Sequence, residues 1–205
     1  MCRYEEALEF YDRALKPSTD RVIVANKARC MEALLNMKKY SCPYSRDDLD
    51  YINEALRILP EGEDNYSFLI TKGIILDELG EHVKARICYS LASKNYDKVD
   101  KAERQLEMLR NTNDTYIIVT STRYYQNFQP FHDGVIMDLV KEPDNIHDRN
   151  AIRVEIEGET VGYVANSERT LIAEVKSATD IKESKSTKAE FAFILLETYV
   201  IAKLI

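Results

Sequence analysis

The stretch KEPDNIHDRNAIRV, Lys141 to Val154, changes character halfway along. Its first part packs Pro143, Asp144, Asn145, Asp148 and Asn150 into eight residues. Asp and Asn side chains hydrogen-bond to the backbone of their own loop and Pro fixes φ, so such a run codes for an ordered turn. The second part, Ala151-Ile152-Arg153-Val154, alternates apolar and polar residues with the period of a half-buried strand. A strand also precedes the loop, Gly134–Val140. Beyond it Glu157-Gly158-Glu159 reads as a hairpin turn into Thr160–Val164. A polar, carboxylate-bearing loop held between strands is a place where binding sites are built.

Working outward, the same period-2 pattern predicts strands at Tyr116–Thr122, Ala151–Ile156, Glu190–Leu196 and Tyr199–Leu204, with a short helix at Ser167–Ser177. Between that helix and the last two strands, KESKSTK, Lys182–Lys188, reads as a polar, mobile loop. The order E-P-x-N-x-x-D-x-N-A-I-x-V followed by V-G-Y-V resembles the HIRAN domain, which stands at the front of certain DNA-repair helicases and alone in many microbial proteins. The resemblance runs from about Thr115 to Ile205. It implies a small antiparallel, OB-like β-barrel that, in the helicase-type relatives, captures the free 3′ end of single-stranded DNA. Arg123-Tyr124-Tyr125 stands where those relatives carry Arg-Tyr-Tyr at the end of the first strand.

The resemblance gives residue roles as expectations. Arg123, Tyr124 and Tyr125 would hold the terminal nucleotides, because rings and a guanidinium offer flat faces on which unpaired bases stack. Asp148 matches the carboxylate that reads the end: it accepts a hydrogen bond from a 3′-hydroxyl and repels a phosphate at the same place. His147, where relatives often carry Tyr, would supply a further flat face. Read without the family, the three residues on the Arg-Tyr-Tyr stretch are ordinary barrel residues and Asp148 caps the turn through Asn150. Pro143, Asn145 and Asn150 are assigned to shaping the loop.

Composition limits the alternatives. The 205 residues carry 28 basic and 35 acidic side chains, a net charge of −7. From Asn111 onward, 10 basic and 15 acidic residues leave −5, so a DNA site here must be short and local rather than a long basic track. No apolar run approaches membrane-spanning length and the N-terminus lacks a signal-peptide layout, so the sequence reads as soluble and cytoplasmic, with no membrane partner. Cys2, Cys30, Cys42 and Cys88 are scattered, which fits reduced, partly buried thiols and neither a disulfide framework nor a zinc site. No nucleophile elbow, zincin helix or phosphate loop is present, and His82 and His132 read as isolated surface residues. The chain therefore reads as a non-enzyme without cofactor or metal.

Residues 1–110 show helical spacing instead: Ala7, Tyr11, Ala14 and Leu15; Ala28, Met31, Leu34 and Leu35; Ile52, Ala55, Leu56 and Leu59. The phrase around Gly73, Ala85, Tyr89 and Ala92 resembles a tetratricopeptide repeat, with echoes at Tyr4–Leu15 and Ile52–Pro60. Ala14 to Ala55 spans 41 residues and Ala55 to Ala92 spans 37, against about 34 for the repeat. The excess falls at Lys39–Asp47, where Cys42-Pro43-Tyr44 reads as a longer loop. Five helices and a sixth at Tyr96–Arg110 are expected. The first begins inside a repeat, so its apolar face should be covered by further chain or by a second copy in a homo-oligomer.

The fold class expected is α + β in two domains. An all-α, tetratricopeptide-like array over 1–110 grips a protein or peptide. Asn111–Asp114 links it to a HIRAN-type barrel over 115–205 that engages a single-stranded DNA 3′ end, as in DNA repair. The rival reading is a protein-binding adaptor whose barrel is purely structural.

Overall fold

A computed structural model describes residues 3–15, 20–167, 170–182 and 187–205. The chain divides into two compact units, Met1–Tyr96 and Asp97–Ile205. The first holds five helices: α1 (Arg3–Leu15), α2 (Arg21–Lys38), α3 (Arg46–Ile58), α4 (Tyr66–Glu78) and α5 (His82–Ala92). The Asp20 side chain starts α2 by accepting from the Val22 and Ile23 N–H groups at 2.8 and 3.2 Å. At the start of α3 the Ser45 N–H and hydroxyl both donate to Asp48 Oδ2, at 2.7 and 2.8 Å. The Lys38 ammonium reaches the same carboxylate at 2.6 Å, so the end of α2 is tied to the beginning of α3.

The periodic apolar residues form this unit's core: Ala28, Met31, Leu35, Ile52, Ala55, Phe68 and Ile75 are buried together with Tyr44. Tyr44 anchors the Lys39–Ser45 connection by donating its hydroxyl to the Leu35 carbonyl at 3.0 Å. Helices α4 and α5 approach so closely that a Cβ on Gly73 would fall within the Tyr89 ring. The Tyr89 hydroxyl then donates to Asp77 at 2.8 Å. Burial first, and Asp77 second, pushes the Tyr89 phenol well above its ordinary pKa. His82, expected to be isolated, instead lies 2.8 Å from the other Asp77 oxygen. Of the thiols, Cys30 is half-buried, Cys42 exposed and Cys88 buried, while Cys2 lies outside the described residues.

The second unit begins with α6 (Tyr96–Arg110). Its strands are β1 (Tyr116–Thr120), β2 (Ile136–Lys141), β3 (Ile152–Ile156), β4 (Glu159–Val164), β5 (Lys188–Leu195) and β6 (Tyr199–Leu204), with a four-residue helix α7 (Ala178–Ile181). They close a barrel in the order β1-β4-β3-β2-β5-β6, every pair antiparallel. The hairpin β3–β4 turns on Glu157 and Gly158 alone, both at positive φ, the left-handed backbone that a two-residue hairpin loop requires. Ile117, Val119, Met137, Leu139, Ile152, Val154, Val161 and Val200 fill the interior. Ile118 on β1 is buried as well as its neighbours, so both faces of that strand are covered. Two ion pairs tie α6 into this unit, Lys98 with Glu197 at 2.8 Å and Arg110 with Glu174 at 2.7 Å.

Two expectations need correction. The short helix lies at Ala178–Ile181, not Ser167–Ser177. Ser177 and Asp180 form a capping box that starts it, while the Lys176 N–H just before is drawn 2.8 Å onto the Tyr116 carbonyl beside β1. Lys188, placed in a loop by the sequence, begins β5; residues 183–186 of that loop lie outside the described residues.

Candidate functional site

The Asn/Asp-rich loop between β2 and β3 is built from its own side chains. Asn145 Oδ1 accepts from the His147 and Asp148 N–H groups at 3.0 and 3.2 Å, and Asn145 Nδ2 donates to Glu142 at 2.9 Å. Asp148 Oδ1 accepts from the Asn150 N–H at 2.8 Å. The loop is closed below by the Glu142 N–H donating to the Ala151 carbonyl at 2.9 Å. Asn145 and Asp148 thus each run an Asx turn, which accounts for the density of these residues.

The second Asp148 oxygen reaches outside the loop. Asn166, just past β4, donates its amide to Asp148 Oδ2 at 2.7 Å. The Asn166 amide oxygen accepts from Thr179 on α7, N–H at 2.9 Å and hydroxyl at 2.8 Å. Asn150 Nδ2 donates to the same Thr179 hydroxyl at 3.1 Å. The Thr179 N–H needs an oxygen, so the orientation of the Asn166 amide is settled, and with it the proton it offers Asp148. A carboxylate has about four lone-pair positions, and these bonds use two of those on Asp148.

Around this frame the loop leaves side chains free. It borders an open, polar depression. His147, Pro143 and Arg149 are exposed, and Arg149 makes no ion pair among the described residues. Ile146 at the tip is 91% exposed.

The Arg-Tyr-Tyr stretch departs from expectation in one respect. The first strand ends at Thr120 rather than Thr122, and Arg123 and Tyr124 lie in a 3-10 turn, Thr122–Tyr124, just beyond it. Ser121 takes a left-handed φ of 64° there and swings the chain off the barrel wall. The Arg123 guanidinium lies over the Tyr124 ring at 4.7 Å and donates to its hydroxyl at 2.6 Å. Tyr124 is 70% exposed and Tyr125 is exposed on one side.

Tyr163 lies on β4, paired with Arg153 on β3. Burial first, then the Glu142 charge and the neighbouring Tyr125, raises its phenol above the ordinary tyrosine value. Glu142 accepts from Arg153 at 2.7 Å and from Asn145. Glu142, Asn145 and Asp148 are therefore joined by hydrogen bonds within the loop. Tyr163, Glu142 and Asn166 were not singled out from the sequence, although Tyr163 and Glu142 lie inside the quoted motif. Among the described residues, no group of three or more His, Cys, Asp and Glu is arranged to hold a metal.

Residues 113–182 match the HIRAN domain family model. The match spans β1 to β4 and α7. Comparison with curated proteins and with solved structures gave no match.

Proposed function

We propose that the barrel captures single-stranded DNA ends bearing a free 3′-hydroxyl, and that the helical unit is a protein-interaction scaffold in a non-catalytic binding protein. HIRAN domains are single-stranded-DNA-binding barrels, and the domain is not itself catalytic. The observation that carries the reading is the Asp148 carboxylate, held by the Asn150 N–H on one oxygen and the Asn166 amide on the other, in a loop that leaves His147 and Arg149 exposed. The terminal bases stack on Tyr124, Tyr125 and His147, Arg123 and Arg149 meet phosphates, and Asp148 accepts the terminal hydroxyl. Pro143, Asn145 and Asn150 keep the loop in shape.

The test compares two labelled oligonucleotides, identical but for a 3′-hydroxyl or a 3′-phosphate, by fluorescence anisotropy at low salt. The hydroxyl strand should bind about ten- to a hundred-fold more tightly, the worth of one charge-assisted hydrogen bond. Equal affinity, or none for either, removes the DNA-end reading. The adaptor reading, favoured by the net −5 of residues 111–205, would then stand.

A further inference from the structure

Both oxygens of the Asp148 carboxylate are in the same condition. Oδ1 accepts from the Asn150 N–H at 2.8 Å, and Oδ2 accepts from the Asn166 amide at 2.7 Å. Among the described residues no other hydrogen bond or ion pair reaches either oxygen. A carboxylate oxygen accepts about two bonds, so each keeps one position. Asp148 is half-buried and lines the open depression along the loop together with His147 and Arg149.

Two adjacent acceptors on one rigid plane match two adjacent donors, and the vicinal hydroxyls of a ribose are such a pair. An acidic residue holds the ribose of bound dinucleotides by the same chemistry. A 2′-deoxyribose end offers only one of the two donors. Asn166 adds to the fit. Its amide is oriented by the Thr179 N–H, one proton goes to Asp148, and the second has no partner among the described residues, so it can meet a hydroxyl oxygen. Charge makes the end of the strand count for more. Residues 111–205 carry a net −5, so counterion release along a strand contributes little and terminal contacts must supply the affinity.

We propose that this site prefers a strand ending in a ribonucleotide, as an RNA 3′ end does, the Asp148 carboxylate accepting from both the 2′- and the 3′-hydroxyl of the last sugar. This rests on the reading that Asp148 receives the terminal hydroxyl, and it adds the class of strand. The 2′-hydroxyl is the group that separates RNA from DNA. Here it is read on the last sugar alone, so the body of the strand is of either kind.

The test uses the whole chain and one labelled DNA oligonucleotide finished with four different 3′-terminal sugars, read by fluorescence anisotropy at low salt. The sugars are ribose, 2′-deoxyribose, 2′,3′-dideoxyribose and 2′-O-methylribose. The ribose end should bind about tenfold or more tightly than the deoxyribose end, the worth of a second charge-assisted bond, and the dideoxyribose end should bind most weakly. The 2′-O-methyl end keeps the ring shape of ribose without the second donor, so it should bind like deoxyribose. In the exchange Asp148→Asn with Asn166→Asp, which keeps the hydrogen-bonded frame, the preference for ribose should vanish. Uridine 5′-monophosphate carries the diol without a strand and should not displace the ribose-ended oligonucleotide at equal concentration. Equal binding of ribose and deoxyribose ends, with dideoxyribose weaker, would overturn the proposal and leave end capture standing. Equal binding of all four would remove both. Ribose-like affinity of the 2′-O-methyl end, a preference that survives the exchange, or displacement by the mononucleotide would each overturn the proposal alone.

Discussion

At the residue scale Asp148 shapes its loop through Asn150 and Asn166, and under the proposed function its remaining lone pairs would take the terminal hydroxyl. Asp148→Asn is therefore not a silent probe. The new amide would face the Asn166 amide, which Thr179 prevents from turning over, so stability should fall by about 1 kcal/mol along with the 3′-end discrimination. The exchange Asp148→Asn with Asn166→Asp restores every hydrogen bond with the charge moved across to position 166. Thermal unfolding should recover while discrimination between 3′-hydroxyl and 3′-phosphate strands stays lost. Recovery of both would show that Asp148 does not read the end. Tyr124→Ala should weaken both strands alike, by about 1–3 kcal/mol, since stacking does not sense the terminal group. A selective loss of one strand in the anisotropy titration would contradict this. The Asx turns at Asn145 and Asp148 were legible because their bonds run within a few residues. The role of Asn166 was not, because its partners on the loop and on α7 come together only when the barrel is formed.

At the element scale, helices and strands followed their periodicity closely, and α6 and β6 match the sequence reading end to end. The position of α7 is set by the Ser177-x-x-Asp180 capping box, which starts the helix after the segment where the sequence reading placed it. The Gly73–Tyr89 packing also belongs here. Gly73→Ala should destabilise the helical unit by about 1–3 kcal/mol, because the added methyl forces the ring out of a filled gap. Denaturant unfolding of the helical signal checks it, and a neutral result would mean that the helices part easily. The junction of α2 and α3 should be acid-sensitive. Burial opposes the charge on Asp48, but the bonds from Lys38 and Ser45 outweigh it and hold the carboxyl below its ordinary value. A depressed folded pKa contributes stability above the unfolded value and loses it as pH falls through the folded one. The gap in Tm between the protein and Asp48→Asn should therefore be open near neutral pH and close below about pH 4, the unfolded carboxyl value. A gap unchanged at low pH would disprove the coupling.

At the scale of the whole molecule, we propose that the two units fold separately, with the boundary ahead of α6. A fragment beginning at Asp97 keeps the Lys98–Glu197 and Arg110–Glu174 pairs, whereas one beginning at Asn111 loses both along with the helix. The longer fragment should unfold cooperatively and at a higher temperature by circular dichroism; the shorter should be less stable or aggregate. Equal melting would place the boundary at Asn111–Asp114 instead. The turn-rich linker residues there are visible in sequence, but the ion pairs of α6 to residues 64 and 99 positions away are revealed by no local pattern.

The barrel is closed by its first strand on its last, Tyr116–Val119 against Val200–Lys203. A ribosome delivers β1 long before β6, so during synthesis β1 waits with one edge bare while some eighty residues emerge. The nascent chain is then open to pairing with the wrong strand or with another copy, and its closure is a late, long-range event. Shortening β6, which pairs with no residue of the loop between β2 and β3, would be expected to act through yield and aggregation in the cell rather than through that loop.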